Sequence, residues 1–396
     1  MMNIYADNAA TTKVSEAAIN AMTACMKDSY GNPSSLHSEG QKAAKVLLEA
    51  RQKMAARLGC DPKEVFFTSG GTEADNQALF SAAALGKKKG KTHIVSTAIE
   101  HHAISHTLDK LAKQGFEVTL LPVPENGVVE PETLKAALRE DTCLCSIMFA
   151  NNEIGTIQPV EEIGKLCRER GILFHTDAVA AAGYLPIDLG VLPIDLLSLS
   201  AHKFHGPKGA GLLYARKGIK VQSMLEGGSQ ESGKRAGTEN LPGIVGMAAA
   251  FEEACGEMAE NAAGLKALQD QLIAGLEKIP HALLSGDRNR RLPGNVHFCF
   301  EGIEGESLLL LCDQKGIRAS SGSACTSGAL EPSHVLLAIG RSHEIAHGSL
   351  RLTLSHQNTE EEVSYMIEAI SEVVTKLRQF SPVWKDLEEG KKKHAI

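Results

Sequence analysis

Helical and strand patterns alternate from about residue 60 to about residue 215, and this alternation constrains the fold more than any other feature of the chain. Residues 64–67 read as a strand and 72–85 as a helix. The pair repeats at 93–96 and 103–114, at 116–121 and 131–139, and at 143–149 and 160–170, and residues 172–175 begin another strand. Such βα repetition predicts an α/β fold with a mostly parallel sheet covered on both faces. Ligands of these sheets gather at the carboxyl ends of the strands. His101, Asn152, Asp177 and Lys203 each fall just past a predicted strand, so one cleft can collect all four.

The chain has 396 residues, enough for a large domain and a smaller one. Residues 239–279 read as mostly helical and can bridge the two. The remainder reads as a small α+β unit, with strands near 295–300 and 349–354 and helices near 306–315 and 359–379. Between these lies a loop of small residues, 320–328, that carries Cys325. Residues 391–394, Lys-Lys-Lys-His, read as a solvated end.

Composition narrows the partners. The formal net charge is −7 and no basic stripe is interleaved with aromatics, which argues against nucleic acid as the main ligand. The nine cysteines are odd in number and form no CxxC pair, as expected for a reducing cytoplasm. No basic stretch leads into an apolar run at the start, so no signal peptide is expected. No apolar segment is long enough to suggest a membrane span.

Two segments carry most of the chemistry. His175-Thr176-Asp177 puts an acid at the end of one apolar run, and Ser200-Ala201-His202-Lys203 puts a lysine at the end of another. A lysine able to form a Schiff base and an acid able to pair with a pyridinium nitrogen are what pyridoxal phosphate (PLP) requires of a protein. An acid in a dry cleft needs such a cation, and burial would free the lysine amine by lowering its pKa. Each residue also has a plainer reading, and Lys203 alone could be a surface lysine.

The supporting motifs are individually weaker. Thr68-Ser69-Gly70-Gly71-Thr72 joins a strand to a helix start, where backbone N–H groups favour a phosphate; the alternative is an ordinary N-cap. His101 could stack on the cofactor ring, or be an exposed loop histidine. Asn152 could donate to the cofactor oxygen, or serve turn chemistry before Gly155. Cys325 sits among Ser, Gly and Ala residues, a setting that suits a thiol carried into and out of a site. His343-Glu344-Ile345-Ala346-His347 matches a zinc-peptidase pattern that requires a helix; between Gly340 and Gly348 it reads as a chance match in a loop, and no resident metal is expected.

Together these segments resemble the cysteine desulfurases of the NifS/IscS type, within the class-V aminotransferases and the fold-type I PLP enzymes. The resemblance runs nearly end to end, from Tyr5–Thr12 and Tyr30–Ser35 through Thr68–Asn76, Glu100-His101, Asn151–Gly155 and His175–Val179. It continues through Ser200–Lys203, Gly227–Glu231, Arg235–Thr238, Ser320–Thr326 and Ser349–Arg351. It implies an aspartate-aminotransferase-like architecture: a large PLP domain at 16–255 with a seven-stranded sheet, and a small α+β domain made of 1–15 and 256–396. The catalytic cysteine loop would span about 318–332.

The resemblance also implies roles. Lys203 would hold PLP covalently and move the substrate α-proton, Asp177 would pair with the ring nitrogen, and His101 would stack on the ring as acid/base. Gly71, Thr72, Ser200 and His202 would bind the phosphate, with Thr238 reaching across from a second subunit of a homodimer. Arg351 would clamp the carboxylate of L-cysteine and Asn152 would support cofactor and substrate. Cys325 would take the sulfur as a persulfide and pass it to an acceptor such as an iron–sulfur scaffold protein. The chain departs from the family at Ala180, where many relatives place a Gln that donates to the PLP oxygen, and at Ser229, where a third glycine is usual. Competing readings are a selenocysteine lyase or another PLP lyase or aminotransferase, a zinc peptidase, and a non-catalytic assembly subunit.

Overall fold

The structure is a computed structural model that describes residues 2–322 and 332–394. After β1 (Ile4–Tyr5) come two helices, α1 (Glu16–Asp28) and α2 (Ser38–Leu58). The alternating region follows: β2 (Val65–Thr68), α3 (Gly71–Lys88), β3 (His93–Thr97), α4 (His102–Lys113), β4 (Glu117–Leu121), α5 (Pro131–Ala137), β5 (Thr142–Ser146), α6 (Val160–Glu169), β6 (Leu173–Asp177), β7 (Leu196–Ser200) and β8 (Gly211–Ala215). The rest of the chain forms α7 (Gln230–Gly233), α8 (Leu241–Leu276), β9 (Ala282–Leu284), β10 (Asn295–Phe300), α9 (Gly305–Gln314), β11 (Ile317–Arg318), α10 (His334–Ala338), α11 (His343–His347), β12 (Ser349–Thr353), α12 (Glu360–Phe380) and α13 (Pro382–Glu388).

Seven strands make the large sheet, in the order β2-β8-β7-β6-β5-β3-β4. Every pairing in it is parallel except those of β8, which runs antiparallel to both β2 and β7. β5 and β7 are buried at every residue, as expected for strands covered on both faces. Their near-continuous apolar runs, Thr142–Ser146 and Leu196–Ser200, follow from that position. From β3 the chain steps outward to β4 and then returns to the other side of β3 as β5. That reversal opens a crevice at the strand ends, the place where α/β sheets bind ligands.

A second apolar core lies apart from the first. It joins Ile4 and Ala6 to Leu265, Leu272, Val296, Phe298, Leu350, Met366 and Ile370. It underlies a three-stranded antiparallel sheet, β12-β10-β9, and a parallel pairing of β1 with β11. Helix α8, about 54 Å long at 1.5 Å per residue, sends Leu241–Phe251 into the first core and Leu265–Leu276 into the second. The expected boundary at 255/256 falls inside this unbroken helix.

One expectation is corrected. His343–His347 is a short helix rather than a loop, started by Ser342, whose hydroxyl accepts from the Ile345 N–H at 3.3 Å. Its histidines nevertheless join no group of three or more potential ligands among the described residues. Residues 391–394 are exposed, as expected, and make contacts: Lys391 pairs with Glu389 at 2.5 Å, Lys392 lies 3.6 Å from Glu344, and His394 Nδ1 lies 2.7 Å from Glu301. No described helix is long and apolar enough to cross a membrane.

Candidate active site

The carboxyl ends of β3, β5, β6 and β7 open into one cavity of about 460 Å³. It is lined by Gly71, Thr72, His101, Asn152, Asp177, Ser200, His202, Lys203 and Arg351. The topology therefore brings together every site residue expected from sequence except two. Thr238 is exposed and does not line the cavity of its own chain. Cys325 lies outside the described residues, but Gly322, three positions before it, is part of the lining.

Lys203 ends a tight turn, Ala201–Lys203, that begins as β7 leaves the sheet. Its ammonium is held by the carbonyls of Ala9 and, at 3.0 Å, Ala10. Those carbonyls come from the N-terminal segment, so a stretch remote in sequence completes the lysine's surroundings. Asp177 closes β6 and is buried, with one oxygen accepting from the Val179 N–H at 2.9 Å. Burial lifts its pKa to about 6, although the Val179 N–H and the Lys203 charge act in the opposite direction.

Asp75, on α3 one turn beyond Gly71, adds a second buried carboxyl to the cavity wall. Burial and the neighbouring Asp177 hold it well above the ordinary carboxylate range. His175 lies 3.7 Å from it but hydrogen-bonds the hydroxyls of Ser146 at 2.9 Å and Ser198 at 3.0 Å. Burial depresses that imidazole to about 3, so it is neutral and Asp75 has no cation there.

His101 caps α4: its Nδ1 accepts from the Ala103 N–H at 3.1 Å. The proton of the neutral ring therefore sits on Nε2. Burial first, then Lys203 and nearby histidines, lowers its pKa to about 4. His202 is likewise lowered to about 4, chiefly by burial. Asn151 and Asn152 divide the two expected roles. Asn151 accepts from the Glu153 and Ile154 N–H groups at 2.8 and 2.9 Å, which is turn chemistry, while Asn152 faces the cavity.

Arg351, on β12, is almost fully buried. It donates to Asp7 at 3.1 Å and to the Asn152 carbonyl at 3.2 Å, while its Nε has no hydrogen-bond partner among the described residues. A buried guanidinium with an unused donor on a cavity wall is well shaped for a carboxylate. At the opposite end, α3 starts at Gly71 with no side-chain cap, which leaves N–H groups available to an anion. A methyl at Gly71 would stand 2.7 Å from Val179 Cγ2, so only glycine lets the helix start approach so closely. A lysine, a buried acid, an open helix N-terminus and a spare guanidinium donor together fit PLP and an amino-acid carboxylate.

The family model for aminotransferase class-V matches residues 4–366. The chain belongs to this family. Like other proteins in it, the chain has named relatives: it is 54% identical over 380 residues to the cysteine desulfurase IscS of Methanosarcina thermophila, covering 96% of this chain and 94% of that protein. It is 51% identical over 391 residues to the cysteine desulfurase IscS of Clostridium botulinum, covering 98% of each. A solved NifS-like protein superposes with a TM-score of 0.89 at 41% identity, over 95% of this chain and 100% of that one. The seven-stranded sheet and second α+β unit are thus the fold-type I arrangement.

Sequence reasoning missed Asp75 and Asp7. Asp75 follows Gly71 by four residues, so a charged residue on the buried face of a predicted helix was the available signal. Asp7 gave none, because its partner Arg351 is remote in sequence.

Proposed function

We propose that this chain is a cysteine desulfurase that converts L-cysteine to L-alanine and moves the sulfur to Cys325 as a persulfide. The observation that carries this reading is the cavity in which Lys203, Asp177, His101 and Arg351 converge, with Gly322 on its wall. Gly322 precedes Cys325 by three positions in the sequence.

PLP, when bound, supplies an electron sink that stabilises negative charge at the substrate α-carbon. Gly71 and Thr72 at the start of α3, with Ser200 and His202, would hold its phosphate. Asp177 would face the ring nitrogen, where a cation offsets the cost of its own burial. Lys203 would carry the cofactor covalently and, once released, take the α-proton. His101, neutral with its proton on Nε2, would donate that proton close to the ring and recover it afterwards. Arg351 would orient the substrate carboxylate and Asn152 would support it.

The Cys325 thiolate attacks the substrate sulfur. An S–S bond forms, the C–S bond breaks, and its electron pair passes to the substrate carbon skeleton, which is protonated and leaves as alanine. The persulfide then passes to an acceptor thiol, such as that of an iron–sulfur scaffold protein. Thr238 of the partner subunit would complete the phosphate site, making the working unit a homodimer. All eight described cysteines are free, which supports a reducing, cytoplasmic setting.

The test is alanine formed from L-cysteine by the PLP-loaded protein under reductant, with Cys325→Ala alongside. Alanine from the parent and not from the variant is expected. Alanine from neither overturns the proposal; alanine from both overturns the role of Cys325.

A further inference from the structure

A second constellation lies outside the cavity just described. His281 precedes β9 and Glu301 follows β10, so the two extend the antiparallel pairing of Ala282 with Phe300 by one position. The Glu301 N–H donates to the His281 carbonyl at 3.1 Å. His394 arrives from beyond α13. Its ring stacks on that of His281, with centroids 3.9 Å apart and an interplanar angle of 22°. Both imidazoles direct Nδ1 at the same carboxylate oxygen, Glu301 Oε2: His281 at 3.2 Å and His394 at 2.7 Å.

The frame behind this group is rigid. Arg378, on α12, is buried and donates to three carbonyls: Pro280 at 2.7 Å, His281 at 3.2 Å and Glu301 at 3.1 Å. One guanidinium therefore fixes the backbone at both sheet-borne ligands. The same guanidinium lies 3.9 Å over the ring of Trp384. Trp384 in turn meets both imidazoles edge-on, at 5.4 Å from His281 and 5.6 Å from His394. His281 is also held at φ +54°, a left-handed conformation that few non-glycine residues adopt. Glu301 is only 3% exposed, so its carboxylate is presented to the two rings rather than to bulk water.

We propose that His281, Glu301 and His394 form a binding site for a zinc-class divalent transition metal. Two imidazole nitrogens and a carboxylate oxygen are a ligand set that Zn(II) favours, with water completing four-coordination. Tetrahedral bonds of about 2.0–2.1 Å put ligand atoms about 3.3 Å apart. The observed 3.2 Å already meets this, and the 2.7 Å contact has to open by only about 0.6 Å. Zinc takes its ligands in deprotonated form, so binding is favoured as pH rises and displaces any proton held between the imidazoles and the carboxylate. Two of the three ligand atoms are imidazole nitrogens, which disfavours Mg(II) and Ca(II), cations held by oxygen ligands. The metal ties residues 389–394 to the edge of the small sheet.

Trp384 is the only tryptophan of the chain and reports on the site directly. The experiment titrates the full-length, PLP-loaded protein with Co(II) and follows Trp384 emission, with Zn(II) as competitor and Mg(II) as control. Co(II) is expected to quench the emission at one equivalent, Zn(II) to reverse the quenching, and Mg(II) to have no effect. Removing even a residue that only supports a metal ligand costs about 10–100-fold in affinity, so His394→Ala and Glu301→Gln should each weaken binding at least tenfold. His394→Ala changes an exposed ring beyond the last helix, so its fold is not at issue. Metal bound by thiols elsewhere leaves Trp384 unquenched. Unchanged emission at saturating Co(II), or unchanged affinity in His394→Ala, overturns the proposal. Neither readout depends on desulfurase activity.

Discussion

Ser333 donates a 2.5 Å hydrogen bond to the buried carboxyl of Glu153, and a methyl placed on Gly322 would meet the same oxygen at 2.9 Å. The two flanks of residues 323–331, the segment that contains Cys325, therefore meet at one acid. Burial raises that acid to about 7, against the Ser333 hydrogen bond and the charge of Arg351.

The sign of the resulting pH dependence follows from linkage. The folded state holds its proton more tightly than the unfolded chain, whose ordinary value is 4.5. The stabilisation is complete below that value and is lost as pH rises towards about 7. The loss is on the order of 3 kcal/mol. Glu153→Gln keeps a neutral acceptor for Ser333 and removes the titration. The parent protein should lose thermal stability between pH 5 and 8 more steeply than Glu153→Gln. Parallel melting curves for the two across that range would show that Glu153 does not titrate there.

The strand ends were legible in the sequence because the inner parallel strands β3, β5 and β7 are buried on both faces and so read as mostly apolar runs with polar residues at or just past their ends. Asp177 closes β6, His101 and Lys203 follow the ends of β3 and β7 by a few residues, and all three line the cavity. Helices α1 and α2 were not assigned. Yet Ala43, Leu47, Ala50, Met54 and Leu58 recur at helical spacing, and Gly59, at φ +68°, closes α2. What the sequence could not convey was contact between remote segments. Ala9 meets Lys203 across 194 positions, and Asp7 meets Arg351 across 344. The loop reading of His343–His347 failed because two flanking glycines were taken to forbid a helix that needs only one turn.

Asp7 is placed to compete with substrate for Arg351. Its carboxyl accepts from Nη2 at 3.1 Å, while burial holds its pKa above the ordinary value despite the guanidinium. Replacing Arg351 with Ala removes a charge-assisted interaction worth about 1.5–3 kcal/mol. The expected result is a loss in kcat/KM for L-cysteine of roughly 10–150-fold, mainly through KM. Asp7→Asn weakens the competitor by about 0.5–1 kcal/mol, so KM should fall roughly 2–5-fold. A rise in KM for Asp7→Asn would instead assign Asp7 to holding the arginine in place.

Gly71 is fixed by the closeness of Val179. A Cβ there would stand 2.7 Å from Val179 Cγ2 and 3.5 Å from Ser200 Cβ. Gly71→Ala should lose about 1–3 kcal/mol by overpacking and move the open start of α3 away from the cavity. Faster PLP loss and a lower melting temperature are both expected. Val179→Ala in the same chain removes the clashing methyl groups and should restore much of each. If the double variant melts no higher than Gly71→Ala, the strain lies elsewhere.

Ala180 lines the cavity three residues after Asp177, where the family resemblance places a glutamine that donates to the PLP oxygen. The methyl group supplies no donor, and Asn152 is the nearby side-chain amide on the same wall. Ala180→Gln should therefore gain a charge-assisted hydrogen bond of about 1.5–3 kcal/mol to the cofactor. Dilution of the loaded protein, followed by the cofactor's absorbance, should show retention improved by roughly 10–150-fold. Asn152→Ala should weaken retention strongly in the parent and only slightly in Ala180→Gln, because one donor then covers for the other. Equal losses in the two backgrounds would mean that Asn152 does not compensate for Ala180 and that the cofactor is held in this chain by its other contacts.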